Sequence, residues 1–268
     1  MSSGSRITPG PPAKRQTVTL SKLAEKKALG EPIVMVTAYD YPSAQVAEEA
    51  GVDVVLVGDL PFASYEASDE QAILTAQRFV KEAGCDAVKL ERGGSSAARA
   101  RAIVGAGIPV MGHVGLTPQT ATALGGYRSQ GRTAERALEV ARDALALQDA
   151  GCFAIVFEAV PTPFTEAVHG RLDVPIIGIG AGPATDGQVL VFHDLLGIFD
   201  GHAARFVKRY ANIRQAMIDG VAAFADDVRR RRYPEDEHGY TMAPDEVDRL
   251  KQLLEHEAQV REPFSGDW

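Results

Sequence analysis

Glu49-Ala50-Gly51-Val52-Asp53-Val54-Val55-Leu56-Val57-Gly58-Asp59 runs from the end of an amphipathic stretch, through an Ala-Gly step, into an apolar segment that stops on a carboxylate. The same step recurs as Glu82-Ala83-Gly84-Cys85, Gly105-Ala106-Gly107-Ile108 and Asp149-Ala150-Gly151-Cys152, each time ahead of another apolar run. Glycine ends a helix in the left-handed conformation without a Cβ penalty, so each step reads as a helix C-cap leading into a strand. Working outward, strand-like runs fall at 33–37, 52–57, 87–90, 108–112, 153–157 and 174–179, with a weaker seventh at 189–192. Amphipathic segments such as 71–83 and 134–150 alternate with them, the pattern of parallel βα units. The regular repetition favours a closed barrel over a doubly wound sheet. Gly178, Gly180 and Gly182 do not have the G-x-G-x-x-G spacing of a dinucleotide loop, and close backbone approach is the better reading.

Around this barrel, predicted over 17–240, the sequence places a Ser/Gly/Pro-rich flexible tail at 1–16 and a charged helical extension at 241–268. Twenty-eight Lys and Arg against 36 Asp and Glu give a formal net charge of −8, so no basic field exists for nucleic acid or an anionic membrane surface. The Arg229–Arg232 run reads as a solvated helix end. At 45% hydrophobic and 24% charged residues, the chain has ample material for a core. It has no apolar run of membrane-spanning length and no apolar signal segment near Met1, and a cytoplasmic protein is expected. The two cysteines, Cys85 and Cys152, sit at helix-to-strand steps and read as packed thiols, with a disulfide as the alternative.

Barrel enzymes carry their chemistry at the C-terminal ends of the strands. There the chain presents Asp59, Lys89, Glu91, His113 and Glu158. Asp59 and Glu91 are hard oxygen donors on separate strands and suit Mg²⁺; the alternative is helix capping or pairing with a cation. In Lys89-Leu90-Glu91 strand alternation sends the two charged residues to one side, where Lys89 can hold an anionic substrate or form an internal salt bridge. Glu158 follows an apolar strand and suits a general base or a structural role, and His113 suits a substrate contact or packing rather than metal ligation. His193 and Asp194 read as structural or helix-capping residues, or as substrate contacts.

In order, the motifs Thr37-Ala38-Tyr39-Asp40-Tyr41-Pro42-Ser43-Ala44, Leu56-Val57-Gly58-Asp59, Leu60-Pro61-Phe62, Val88-Lys89-Leu90-Glu91, Gly112-His113-Val114-Gly115-Leu116-Thr117-Pro118-Gln119, Ile177-Gly178-Ile179-Gly180-Ala181-Gly182, Asp186-Gly187-Gln188-Val189-Leu190-Val191 and Phe206-Val207-Lys208-Arg209-Tyr210 resemble the ketopantoate hydroxymethyltransferase family. The resemblance runs from Thr17 to Tyr240. It implies a TIM-type (β/α)₈ barrel of the phosphoenolpyruvate/pyruvate-binding kind and a large homo-oligomer, a decamer in the family. The implied reaction is Mg²⁺-dependent: 5,10-methylenetetrahydrofolate gives a hydroxymethyl group to 3-methyl-2-oxobutanoate, forming 2-dehydropantoate on the route to pantothenate and coenzyme A. Carried over, the metal residues are Asp59 and Glu91, the substrate-binding residues Asp59, Lys89 and His113, and the catalytic base Glu158.

The chain departs from the family at one place. Family members follow the Val-Gly-Asp strand with Ser, a glycine-containing loop, a helix and a second strand ending Ala-Asp, and only then Leu-Pro-Phe. Here Asp59 runs straight into Leu60-Pro61-Phe62, and Arg92 is inserted before Gly93-Gly94. One βα unit is missing, in keeping with seven predicted strands, and Asp59 stands where the family has two aspartates. The strands at 52–57 and 87–90 must then become neighbours or leave the barrel split, with weak turnover as the expected result. Two other readings follow from the same residues. One is a related 2-oxo acid lyase or carboligase, although neither cysteine lies in the loop where such enzymes carry an acid. The other is a non-catalytic relic.

Overall fold

The computed structural model describes residues 17–58, 65–91, 96–120, 129–201 and 204–260; the expected tail at 1–16 lies outside them. The chain forms two compact units, residues 1–213 and 214–268.

In the first unit four helices start where a short polar side chain caps them. Thr19 accepts from the Lys22 N–H at the head of α1 (Leu20–Leu29), and Ser68 accepts from the Gln71 N–H at the head of α3 (Asp69–Ala83). Asp40 and Ser43 form a reciprocal capping box on α2 (Tyr41–Glu49). Then come α4 (Ala97–Gly105), α5 (Ala134–Asp149) capped by Thr133, α6 (Thr162–His169) and the one-turn α7 (Phe192–Leu195). Of the four glycines expected as C-caps only Gly84 takes the cap position. Ala50, Ala106 and Ala150 fill it elsewhere, and Gly51, Gly107 and Gly151 take the left-handed turn one residue later.

Seven parallel strands form one sheet: β1 (Ile33–Thr37), β2 (Val54–Leu56), β3 (Val88–Lys89), β4 (Val110–Gly115), β5 (Ala154–Glu158), β6 (Ile176–Ile179) and β7 (Gly187–Val191). Their order is β2-β1-β7-β6-β5-β4-β3. First and last strands pair over five residues, Ile33 opposite Gly187 through Thr37 opposite Val191, which is how a barrel closes its sheet. Chain neighbours are sheet neighbours throughout, with one break: among the described residues no pairing joins β2 to β3. The fold is a TIM-type barrel of seven strands, and of the two outcomes open to a chain missing a βα unit it adopts the split one.

Alternation assigns every strand residue to one of two layers. Ile33, Met35, Met111, Ala154, Val156, Ile177, Ile179 and Val189 form one buried cluster, plugged by Leu23 of α1: the barrel interior. Val88, Leu90, Val110, Val114, Ile155, Phe157 and Ile176 join Ala72, Ile103, Leu147 and Phe164 of the helices in the outer layer. Lys89, Glu91, His113 and Glu158 therefore share the interior parity. The strand expected at 108–112 extends to Gly115, so His113 lies within β4 rather than past its end.

Both cysteines are free thiols, and burial pushes the Cys152 thiol up to about 12. In the second unit, α8 (Ile213–Arg229) ends at the arginine run, where Arg230 and Arg232 pair with Asp226 and Asp227, and α9 (Pro244–Val260) follows. No helix among the described residues is long and apolar enough to cross a membrane.

Candidate active site at the β3–β5 strand ends

Parallel pairing sets Lys89 beside Met111 and His113 beside Val156. Lys89, His113 and Glu158 thus step diagonally across three adjacent strands, climbing two residues at each strand. The side chains meet. Lys89 Nζ lies 3.1 Å from His113 Nδ1, and His113 Nε2 lies 3.3 Å from Glu158 Oε2. Glu91 Oε1 is 3.8 Å from His113 Nδ1. Lys89, Glu91 and His113 are only 6%, 3% and 1% exposed, while the Glu158 side chain keeps an opening of 15%. A charged lysine has only N–H donors, so His113 Nδ1 must accept from it. The imidazole hydrogen then sits on Nε2 and faces the Glu158 carboxylate. The arrangement joins a cation, an oriented imidazole and a partly open carboxylate.

Glu91 is held by residues that the sequence reading did not single out. The fully buried Tyr65 hydroxyl accepts from the Glu91 N–H at 3.2 Å and lies 3.3 Å from its carbonyl oxygen. The Ser96 hydroxyl donates to the same carbonyl at 2.6 Å, and the Gln119 N–H donates to Glu91 Oε2 at 3.0 Å. Glu158 is set just as tightly. Gly115, at φ 93, lets β4 approach so closely that a Cβ there would lie 2.2 Å from the Glu158 carbonyl oxygen, which accepts from the Leu116 N–H. Ala159 follows in the left-handed region at φ 50, a strained conformation for a residue with a Cβ, beside the candidate base. Among these, the glycine within Gly112-His113-Val114-Gly115 was the one visible signal.

Asp59 lies outside the described residues, so of the expected metal pair the structure places Glu91. A buried carboxylate among fixed donors fits Mg²⁺, which takes one or two protein carboxylates and fills its remaining positions with water and substrate oxygens. Among the described residues the one cluster of three ligand-type side chains is Glu235, Glu237 and His238, exposed and in the other unit. The expected close approach at the glycine run is present: a Cβ on Gly180 would fall 2.4 Å from the Phe206 ring. His193 and Asp194 sit in α7.

A model of the ketopantoate hydroxymethyltransferase family matches residues 17–59 and 57–236. The two matched stretches meet at Val57-Gly58-Asp59. The 3-methyl-2-oxobutanoate hydroxymethyltransferase of Moorella thermoacetica is 45% identical over 267 residues, covering 85% of this chain and 99% of that protein. Since 85% of 268 residues is about 228, the alignment is longer than the part of this chain in it, by roughly one βα unit of a barrel of ~250 residues. The mitochondrial 3-methyl-2-oxobutanoate hydroxymethyltransferase 1 of Arabidopsis thaliana is 42% identical over 286 residues, covering 90% of this chain and 82% of that protein. Among solved structures, phosphoenolpyruvate phosphomutase from Streptomyces platensis subsp. rosaceus is similar at a TM-score of 0.45 and 16% identity, covering 91% of this chain and 99% of that one.

Proposed function

The chain belongs to the ketopantoate hydroxymethyltransferase family, a hydroxymethyltransferase of pantothenate biosynthesis, and from that premise we propose its substrates and the roles of its residues. The acceptor is 3-methyl-2-oxobutanoate, the donor 5,10-methylenetetrahydrofolate and the product 2-dehydropantoate. The enzyme works in the cytoplasm, as a homo-oligomer; the exposed Met217, Ile218, Val221 and Phe224 along α8 support the assembly.

The observation that carries the reading is the run Lys89–His113–Glu158 across three neighbouring strand ends, with Glu91 against it. Lys89 holds the carboxylate of the oxo acid and steadies negative charge that develops on its keto oxygen. Glu158, the partly open carboxylate, removes the proton from C3. His113 holds Nε2 at 3.3 Å from Glu158 Oε2, a contact that steadies the carboxylate electrostatically, while its other nitrogen lies against Lys89. The carbon freed at C3 forms the new C–C bond to the donor's one-carbon unit; water supplies the hydroxyl oxygen, and the two bonds from that carbon to the folate nitrogens break, so that tetrahydrofolate leaves. Mg²⁺, held by Glu91 and Asp59, would act as a Lewis acid toward the oxo acid's oxygens. Tyr65, Ser96 and Gln119 keep Glu91 from turning away.

The test separates base from metal. Exchange of the C3 hydrogen in heavy water requires no one-carbon donor; Glu158→Gln is expected to slow it by about 10²-fold or more while oxo acid affinity stays near that of the unaltered chain. Exchange at the unaltered rate moves the base elsewhere. In calorimetry with oxo acid present, Glu91→Ala and Asp59→Ala are expected to lose Mg²⁺ binding, and undiminished binding removes them from the metal site.

A further inference from the structure

A second group of side chains stands on the same rim, away from the proposed base. Thr37 ends β1 opposite Val191, which ends β7, and two residues beyond each pairing partner come Tyr39 and His193. Their rings stack, with centroids 6.1 Å apart and planes 28° from parallel. Phe192 closes on His193 edgewise at 6.0 Å and 71°. The backbone beneath the pair is fixed: the Ala38 N–H bonds the Leu56 carbonyl, Asp40 caps α2, and the His193 carbonyl accepts from the Ile198 N–H.

Two features set this pair apart from packed core rings. Tyr39 keeps 58% of its surface exposed although one side lies against His193. His193 Nδ1 is shut away from solvent and has no hydrogen-bond partner among the described residues. A buried ring nitrogen left unmatched is costly, and a turn of the imidazole that brings it to the open rim lets a ligand atom match it. Asp40 does not serve: its Oδ1 accepts from the Ser43 N–H and hydroxyl, as the α2 cap requires.

We propose that Tyr39 and His193 seat a flat heteroaromatic ring of the one-carbon donor, stacked on Tyr39 and hydrogen-bonded at His193 Nδ1. The proposal rests on the donor assigned above and gives it a place. The seat straddles the ends of β7 and β1, two to three strand spacings from β5, roughly 10–14 Å around the wall at ~4.8 Å per strand. A five-carbon oxo acid held at Glu158 does not reach that far, whereas a donor several rings long does. Stacking on an exposed aromatic face tolerates any planar ring, so the pterin and the p-aminobenzoyl ring share the required chemistry.

Calorimetric titration of the full chain with tetrahydropterin, with p-aminobenzoylglutamate and with tetrahydrofolate tests the seat, and the stronger of the first two identifies the ring it takes. Tyr39→Leu is expected to weaken ring binding about tenfold, Tyr39→Phe to keep it, and His193→Phe, which keeps a ring but removes Nδ1, to weaken it several-fold. Unchanged binding in Tyr39→Leu, or no binding of either ring by the unaltered chain, overturns the proposal. C3 hydrogen exchange by the unaltered chain without donor reads the oxo acid chemistry separately. Ring binding without exchange supports the seat and breaks the functional reading, while exchange without ring binding does the reverse.

Discussion

The β4–β5–β6–β7–β1 side of the barrel and the β2/β3 side are built from the same kind of βα unit and end differently. On the first, β4 pairs with β5 and β1 with β7 over five residues each, β5 with β6 over four and β6 with β7 over two, and β5 and β6 are buried almost throughout. On the second, β2 pairs with β1 over three residues and β3 with β4 over two, and all three residues of β2 are half-exposed. The contrast shows how local the loss of a unit is in a barrel. Each strand is held by the neighbours it has, so the five strands stay continuously paired, β6 to β7 by the shortest ladder among them, and among the described residues the missing pairing falls at one seam, between β2 and β3. It also divides the chemistry. His113 and Glu158 stand on the continuously paired side, and Lys89 and Glu91 at the edge strand.

The largest effect should come from removing the contrast altogether. Inserting the family's βα unit between Gly58 and Leu60 gives β2 and β3 the neighbour each lacks and restores the second aspartate. Displacements of about 1 Å at reacting groups cost on the order of a hundredfold. Turnover of the lengthened chain is therefore expected to exceed that of the 268-residue chain by at least that factor, in a steady-state assay of 2-dehydropantoate formation. Equal turnover would mean that the seam does not disturb the site.

A smaller effect compares one glycine from each side. A Cβ on Gly115 at the end of β4 would meet the Glu158 carbonyl oxygen at 2.2 Å and Val160 at 2.8 Å, with φ at 93, whereas one on Gly58 past β2 would meet nothing within 4 Å among the described residues. Gly115→Ala is expected to cost about 1–3 kcal/mol in urea unfolding and to slow C3 exchange, because Glu158 must move. Gly58→Ala is expected to leave stability within about 0.5 kcal/mol. Equal costs at the two positions would erase the distinction between tight and open strand ends.

Much of this architecture was legible because it is periodic. Repeated Ala-Gly steps announced the βα units, and alternation in Lys89-Leu90-Glu91 correctly sent both charges inward. What escaped reading depends on contacts between distant, non-periodic residues. Tyr65, Ser96 and Gln119 lie in connections with no repeat to mark them, yet they clamp Glu91. Lys26 and Lys27 look like two solvated charges on an amphipathic helix. Folding sets them against different carboxylates, Asp53 and Asp186, at the N-terminal ends of β2 and β7. The stacking of Tyr39 on His193 joins residues 154 positions apart, brought together by the closing pair β1–β7.

Those two lysines allow the smallest test of the comparison. Asp186, next to β7, accepts from Lys27 Nζ and the Ile176 N–H at 2.8 Å each and lies 2.8 Å from His169 Nε2. Burial opposes its charge, but these three partners together outweigh burial and hold the carboxyl below its usual value. A depressed folded pKa stabilises the fold above the unfolded carboxylate value of ~3.9, and that stability is lost as pH falls through the folded value. Lys27→Met removes the strongest donor and leaves the burial, so the folded pKa rises. The variant is expected to lose about 1–2 kcal/mol at pH 7 and to begin acid unfolding at higher pH than the unaltered chain. Urea midpoints measured from pH 7 down to pH 3 follow both effects. Lys26→Met, acting on the β2 side through Asp53, supplies the matching measurement at the seam. If the base of the barrel is as complete there as beneath β7, the two variants lose similar stability at pH 7. A much smaller loss for Lys26→Met would carry the looseness of β2 down to its N-terminal end.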